Sequence, residues 1–304
     1  MSRASVEDNV YETEDSLNQY LGLHFPSSGK KEGIPAVLPH ELAPTHLLGF
    51  PQRVARLLIR FATSSSSSLL DRALDMGCAV GGASFELAKT YRRVDAFDYS
   101  QSFVTTAQRM QRGETVRFRV PVEADLYQEI DAVHQDGVTP QVRERVHFFV
   151  GDACNPKSTQ SMLQQRQSSS DKTKYDGVIM ANLLCRLPDP MACLNQLPDI
   201  VRENGGLVVL VTPYSWLDHY TERSQWLGGY YEEEEEEDDG EKDDPNDTKK
   251  KKKKKACYSK DRLKQVMESN GFALVHEEPM PLLIREHQRK YQYIVSEATV
   301  WKRS

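Results

Sequence analysis

Asp75-Met-Gly77-Cys78-Ala79-Val-Gly81-Gly82 follows the short apolar run Arg-Ala-Leu and leads into the helix-like stretch Ala83 to Lys89. A small-residue turn between a strand and the start of a helix lets a ligand approach the backbone closely. In dinucleotide enzymes such a turn holds pyrophosphate against the helix dipole. Here it opens on Asp75, an acid that repels phosphate and suits a cationic sulfonium or amino group. Ala79 lacks the positive-φ freedom of glycine, so a right-handed or extended backbone is expected there.

Outward from this turn, short apolar runs alternate with longer segments of helical spacing, which is how βαβ units read. The strand candidates are Arg72 to Gly77, Arg93 to Asp98, Arg145 to Asp152, Tyr175 to Asn182, Gly206 to Pro213, Phe272 to Met280 and Gln292 to Lys302. That order describes an α/β doubly wound sheet. The last two strands are joined by Pro281 to Tyr291, too short for a crossover helix, so they are expected to pair antiparallel.

The chain has 304 residues and reads as one domain, with an N-terminal helical cap over residues 1–65. Two low-complexity stretches, 157–173 (Ser/Gln-rich) and 232–255 (a Glu/Asp run followed by seven Lys), are expected to be disordered inserts. The second holds 12 acidic and 8 basic side chains, so −4 of the net charge of −6 belongs to it and only −2 to the rest. Nothing in that balance points to nucleic acid or a membrane surface as partner. The start of the chain has no apolar leader, and no run approaches the roughly 18 apolar residues of a membrane span. Five cysteines without a CxxC pair read as reduced thiols, and the expected location is the cytoplasm.

Other polar residues close the strand candidates, where ligands bind in open α/β sheets. Asp98 stands 23 residues after Asp75, near the spacing at which an acid meets ribose hydroxyls. Its alternative role is a helix cap, for which Ser100 is the better residue. Tyr99 follows it beside the same site. Asp152, in Gly151-Asp-Ala153, can accept from an adenine amino group, and Asn182 ends the fourth strand facing the same ligand. Arg53 reads equally as a clasp for that ligand's carboxylate or as a surface ion pair.

Several segments together resemble the S-adenosylmethionine (SAM)-dependent 5-thiohistidine N-methyltransferases, the C-terminal domain of ovothiol-biosynthesis enzymes. They are Tyr11-Glu-Thr-Glu14, Phe50-Pro-Gln-Arg53, Leu74 to Gly81, Gly151 to Cys154, Ala181 to Pro190, Thr212-Pro-Tyr-Ser-Trp216, Trp226-Leu-Gly-Gly229 and Leu282 to Tyr291. The resemblance implies a Rossmann-like class I methyltransferase fold: a seven-stranded, mostly parallel sheet with a C-terminal antiparallel hairpin and helices on both faces. It also implies SAM as cofactor, held by Arg53, Asp75, Gly77, Cys78, Ala79, Gly81, Asp98, Tyr99, Asp152, Ala153 and Asn182. The implied reaction methylates the imidazole nitrogen on the side-chain side of 5-thiohistidine, giving ovothiol A and S-adenosylhomocysteine.

In-line displacement at a sulfonium needs alignment more than it needs a strong base or a metal. The groups nominated to align the acceptor are Tyr11, Arg186, Tyr214, Trp216 and Arg285 for binding, with Asn182, Tyr214, Arg285 and His287 at the reacting ring. Cys78 and Cys185 fall in site segments without a paired histidine and read as packing residues. The eight histidines contain no His-x-x-x-His-x-Glu iron motif, so a separate iron-dependent sulfoxide synthase is the expected supplier of the substrate. Another small-molecule acceptor, a nicotinamide-linked oxidoreductase and a non-catalytic partner are the competing classes.

Overall fold

The computed structural model describes residues 10–25, 45–62, 69–155, 174–235 and 252–304. The expected insert 157–173 lies outside the described residues, as do residues 236–251 of the second one. The N-terminal part supplies α1 (Glu14–His24) and α2 (Phe50–Ala62). The first sheet strands are β1 (Leu70–Met76) and β2 (Tyr91–Asp98), each followed by a helix, α3 (Gly82–Leu87) and α4 (Gln101–Arg112). A hairpin of β3 (Arg117–Glu123) and β4 (Leu126–Asp131) then leads through α5 (Pro140–Arg143) to β5 (Val146–Val150). Next come β6 (Gly177–Ala181), α6 (Pro190–Asn195), α7 (Leu197–Ile200) and β7 (Leu207–Thr212). A second hairpin, β8 (Tyr230–Glu235) and β9 (Lys252–Cys257), precedes α8 (Ser259–Ser269), β10 (Phe272–His287) and β11 (Lys290–Arg303).

The seven-stranded sheet runs β10-β11-β7-β6-β1-β2-β5. Every pair is parallel except those made by β11, which runs antiparallel to both β7 and β10. The chain moves outward from β1 in one direction through β2 and in the other through β6, so the switch point lies between β1 and β6, where an open α/β sheet offers a crevice. The central strands are apolar on both faces because both are covered, and all of Leu207–Thr212 is buried. One face packs α2 through Val54, Ala55 and Leu58, with Phe85 and Phe103 from α3 and α4. The other packs Leu194, Val266, Met267 and Trp301.

All seven strand candidates are present, and the final pair is antiparallel as expected. β10, however, does not stop at Met280. It runs through Pro281 to His287, and the connection shrinks to Gln288-Arg289. Pro279 and Pro281 are tolerated because β10 is the sheet edge, where a missing N–H removes no ladder bond. Glu297 already faces Thr212, the last residue of β7, so the rest of this ribbon projects beyond the carboxyl ends of the parallel strands. Its tip meets β3 where the backbone amide of Gln288 donates to Val122 O at 3.3 Å.

The flanks of the 232–255 insert differ from the expectation of disorder. Glu232 pairs with Lys255 and Glu233 with Lys254 across β8 and β9, opposite charges that favour the ladder. Among the described residues no helix is long and apolar enough to cross a membrane.

Below the switch point, fully buried Asp95 binds β1 to β2. It accepts from Arg72 at 2.7 Å, from Arg93 at 3.0 Å and from the Tyr175 hydroxyl at 3.0 Å. Replacing Asp95 with Ala strands Arg72 in the core without a counter-charge, at an expected cost of about 3–5 kcal/mol. Urea denaturation measures it, and a cost below about 1 kcal/mol would contradict the buried pair as a fixture of the sheet.

Candidate active site

The turn after β1 is buried and closely packed. Gly77 (φ 76°) and Gly81 (φ 88°) are both left-handed. A Cβ at Gly77 would sit 2.9 Å from Leu183, and one at Gly81 would sit 2.6 Å from Phe148. The amides of Gly77 and Cys78 both donate to Phe97 O at 2.9 Å, which ties the turn to the end of β2. Ala79 corrects the sequence expectation: its φ is 45°, left-handed and not right-handed or extended. That conformation costs an alanine about 1–2 kcal/mol. It aims the Ala79 amide at Asp98 Oδ2, 2.9 Å away, and this charge-assisted bond offsets the strain.

Two carboxylates stand at the ends of adjacent strands. Asp75 is buried and accepts from Ser84 Oγ at 2.6 Å. Burial pushes its acid up to about 7, against the opposing Ser84 bond. Asp98 is pushed up to about 6, again chiefly by burial, while its Oδ1 accepts from the Ser100 amide at 2.9 Å. Ser100 is the cap of α4, its Oγ accepting from Phe103 N at 3.1 Å, so Asp98 is released from that duty. Backbone groups of Ala79, Ser100 and Tyr99 bond to the Asp98 carboxylate, whose roughly four lone-pair directions leave one for a hydroxyl. Among the described residues no cationic side chain pairs with either acid, so the cradle favours a positively charged ligand.

The flanking positions complete this side. Tyr99 is exposed directly after Asp98. Asp152 accepts from the Cys154 amide at 2.8 Å, and buried Ala153 offers its carbonyl to Gln196 at 2.5 Å. Cys78 is buried, and burial raises its thiol well above the usual range, as fits a packing residue.

On the other side of the switch point, Asn182 (φ 53°) and Tyr214 (φ 51°) follow β6 and β7. Ala79, Asn182 and Tyr214 are thus three left-handed non-glycine residues just past three strand ends, and such strain gathers at functional sites. Asn182 Oδ1 accepts from Ser296 Oγ at 2.9 Å. Tyr11 stacks on Tyr220 with ring centres 5.9 Å apart, and the Arg186 guanidinium lies 4.9 Å over the same Tyr220 ring. Arg186 is braced by Ser215 O at 2.7 Å and Cys185 O at 3.1 Å. Tyr11, Asn182 and Arg186 therefore belong to loops that surround the strand ends.

Other nominated residues stand elsewhere. Trp216 is buried, its indole N–H donating 2.8 Å to Ser259 Oγ at the start of α8. The Tyr214 hydroxyl donates 2.7 Å to Glu297, which Lys260 also contacts at 2.7 Å. The Arg53 guanidinium donates to Leu47 O at 3.1 Å, to Leu48 O at 3.3 Å and to Pro281 O, fastening α2 to the β10 ribbon. His287 Nδ1 accepts from the Arg289 amide at 3.2 Å inside the hairpin turn. Arg285 donates 3.1 Å to Pro121 O in a cleft of about 600 Å³ lined by Asn18, Leu23, Phe118 and Tyr127. That cleft borders the face of α1 opposite Tyr20 and His24, so Arg285 and His287 do not converge with the two carboxylates.

Four residues near the cradle escaped the sequence reading. Tyr20 packs on Phe103 with ring centres 4.8 Å apart, and Tyr220 stacks with Tyr11. Buried His24 accepts from the Gly82 amide at 3.0 Å, and Glu12 accepts from the amides that open α4. The one local signal is the i, i+4 spacing of Tyr20 and His24 on α1. Among the described residues no cluster of three or more His, Cys, Asp or Glu is arranged to hold a metal ion.

The sequence model of the family described as "Methyltransferase domain" matches residues 47–277, more than half of the chain. No curated protein sequence matches. Similar solved structures include a SAM-dependent methyltransferase from Methanosarcina mazei, 17% identical, covering 81% of this chain and 96% of that one, with a TM-score of 0.44. A second is magnesium protoporphyrin IX methyltransferase from Synechocystis with bound SAM, 15% identical, covering 84% and 80%, with a TM-score of 0.41. A third is a SAM-dependent methyltransferase from Clostridium acetobutylicum, 12% identical, covering 89% and 96%, with a TM-score of 0.44. On the family match, which runs from before α2 into β10 and takes in the whole Asp75–Asp98 turn, the chain belongs to the methyltransferase domain family and is a methyltransferase.

Proposed function

We propose that this methyltransferase uses SAM to methylate 5-thiohistidine on the imidazole nitrogen nearest the side chain, giving ovothiol A and S-adenosylhomocysteine. The observation that carries the donor half is the pair of carboxylates at adjacent strand ends, buried Asp75 and half-buried Asp98, with no cationic side chain paired to them among the described residues. Asp98 takes the ribose hydroxyls, Asp75 faces the cationic methionine end and Asp152 the adenine amino group. SAM, when bound, supplies a methyl carbon made electrophilic by its sulfonium.

The acceptor half rests on the segments that resemble thiohistidine methyltransferases and on the flat, partly charged surface they form. Tyr11 and Tyr220 offer stacked rings for a planar heterocycle, and Arg186 stands by for a carboxylate. Asn182 holds the edge of the ring from the end of β6. The ring nitrogen's lone pair forms the new N–C bond as the C–S bond breaks; positive charge passes from sulfur to the ring, which then loses a proton. Alignment, not a protein base, carries most of the acceleration. On this reading the enzyme works in the cytoplasm beside a separate iron-dependent sulfoxide synthase that makes its substrate.

One observation favours a second reading, transfer to a different small-molecule acceptor. Arg285, in the most specific of the resembling segments, lies across α1 from the cradle. Mass spectrometry of a mixture of protein, SAM and 5-thiohistidine separates the two. The proposal expects a product heavier by one methyl group, fragmenting with the methyl on the ring. Binding of SAM without that product would move the assignment to another acceptor. In the same assay Asp98→Ala is expected to raise the KM for SAM by about 10–150-fold, the equivalent of about 1.5–3 kcal/mol for hydrogen bonds to a charged group.

The raised acids give donor binding a pH dependence of definite sign. A cationic donor binds the ionised carboxylates, and Asp75 is increasingly protonated below about 7. Affinity for SAM, measured calorimetrically, is therefore expected to fall by up to about tenfold per pH unit below that point, with proton release on binding. Asp75→Asn should flatten the profile; an equally steep profile in that variant would remove Asp75 from the donor site.

A further inference from the structure

Two helices begin at the donor cradle, and both donate first-turn hydrogen bonds to one remote stretch of chain. α3 starts after Gly81, which has no side chain to cap it. Its Gly82 amide instead donates 3.0 Å to Nδ1 of His24. α4 starts beside Asp98, and beyond the local Ser100 cap the amides of Gln101 and Ser102 donate to the two Glu12 oxygens at 2.9 and 3.2 Å. Free amides at a helix start are costly to leave unmet when water is excluded.

The stretch between Glu12 and His24 is held at both ends. Ser100 Oγ donates 3.1 Å to Tyr11 O, and Gln52 Nε2 donates 2.7 Å to His24 O. Tyr20 lies on Phe103 between these anchors. Residues 10–25 thus bridge from α4 to α3 beside the carboxyl ends of β2 and β1. Tyr11 carries the same stretch onward to Tyr220 in the loop beyond β7.

We infer that residues 10–25 form a clasp that completes the methyl-donor site, with His24 and Glu12 as positioning residues acting through the turns that carry Gly81 and Asp98. The inference rests on the donor half of the proposed function and is independent of the acceptor. A histidine is suited to position 24 because burial keeps its ring neutral, its acid lowered to about 3. An acid there would add a third negative charge to Asp75 and Asp98. With Nδ1 accepting, the ring proton sits on Nε2. Docking of the clasp orders the turns the donor needs, so donor binding and clasp docking favour each other by the same factor.

The test uses the full-length protein and S-adenosylhomocysteine as probe, with affinity from calorimetry and hydrogen exchange read over residues 14–25. In the wild type, binding should slow exchange in that segment. His24→Leu should weaken binding about tenfold, the size of a lost helix cap, and abolish the added protection, while turnover at saturating SAM is largely retained. His24→Gln, which keeps an acceptor, should recover most of the affinity. Glu12→Ala tests the other end if His24→Leu fails to fold, and should weaken binding several-fold. Affinities within twofold of wild type in both Glu12→Ala and the folded His24 variants would overturn the clasp. A wild type that does not bind the probe would instead overturn the donor assignment.

Discussion

The Asp98 carboxylate is the junction on which the donor side of the molecule depends. One oxygen accepts from the Ala79 amide and the other from the Ser100 amide, each at 2.9 Å. The first bond accounts for a left-handed alanine in the turn after β1, and the second fixes the start of α4. A single carboxylate thereby registers two βα turns against each other at the carboxyl ends of β1 and β2, where ligands bind in open α/β sheets. Asp75, one strand away and equally desolvated, makes the same place electrostatically incomplete without a cation.

The rest of the architecture serves that junction in layers. Asp95 with Arg72 and Arg93 fixes β1 against β2 inside the core, well away from ligands. The α1 segment closes over the two turns from one side, and the β10–β11 ribbon rises past the strand ends on the other. Arg53, bonded to carbonyls of the segment before α2 and of β10, ties that segment to the ribbon. The loops after β6 and β7 are braced on the ribbon itself, Asn182 through Ser296 and Tyr214 through Glu297. The two βα turns and the loops after β6 and β7 meet at the strand ends, where Tyr11 reaches Tyr220.

Features set by local chemistry were legible in the sequence. Seven apolar runs became the seven strands, the short final connection became an antiparallel pair, and Ser100 became the cap that frees Asp98. What escaped reading depends on partners distant in the chain. Ala79 is left-handed because of an acceptor 19 residues later. Trp216 turned inward because Ser259, 43 residues on, takes its indole N–H. His24 finds the Gly82 amide 58 residues away. The β3–β4 hairpin was legible but not read: Arg117 and Arg119 alternate with Phe118 and Val120, the period of a half-buried strand, and the apolar pair is buried against α1. The β8–β9 stem was hidden because a run of like charges reads as solvated until its opposite partner is placed across from it.

A crystal structure with S-adenosylhomocysteine shows whether Asp98 and the Asp75 turn form the proposed methyl-donor site. Both ribose hydroxyls are expected within hydrogen-bonding distance of the Asp98 carboxylate, with the methionine end over the Gly77–Gly81 turn beside Asp75. A nucleoside bound elsewhere, for instance at Arg285 on the far side of α1, would contradict it.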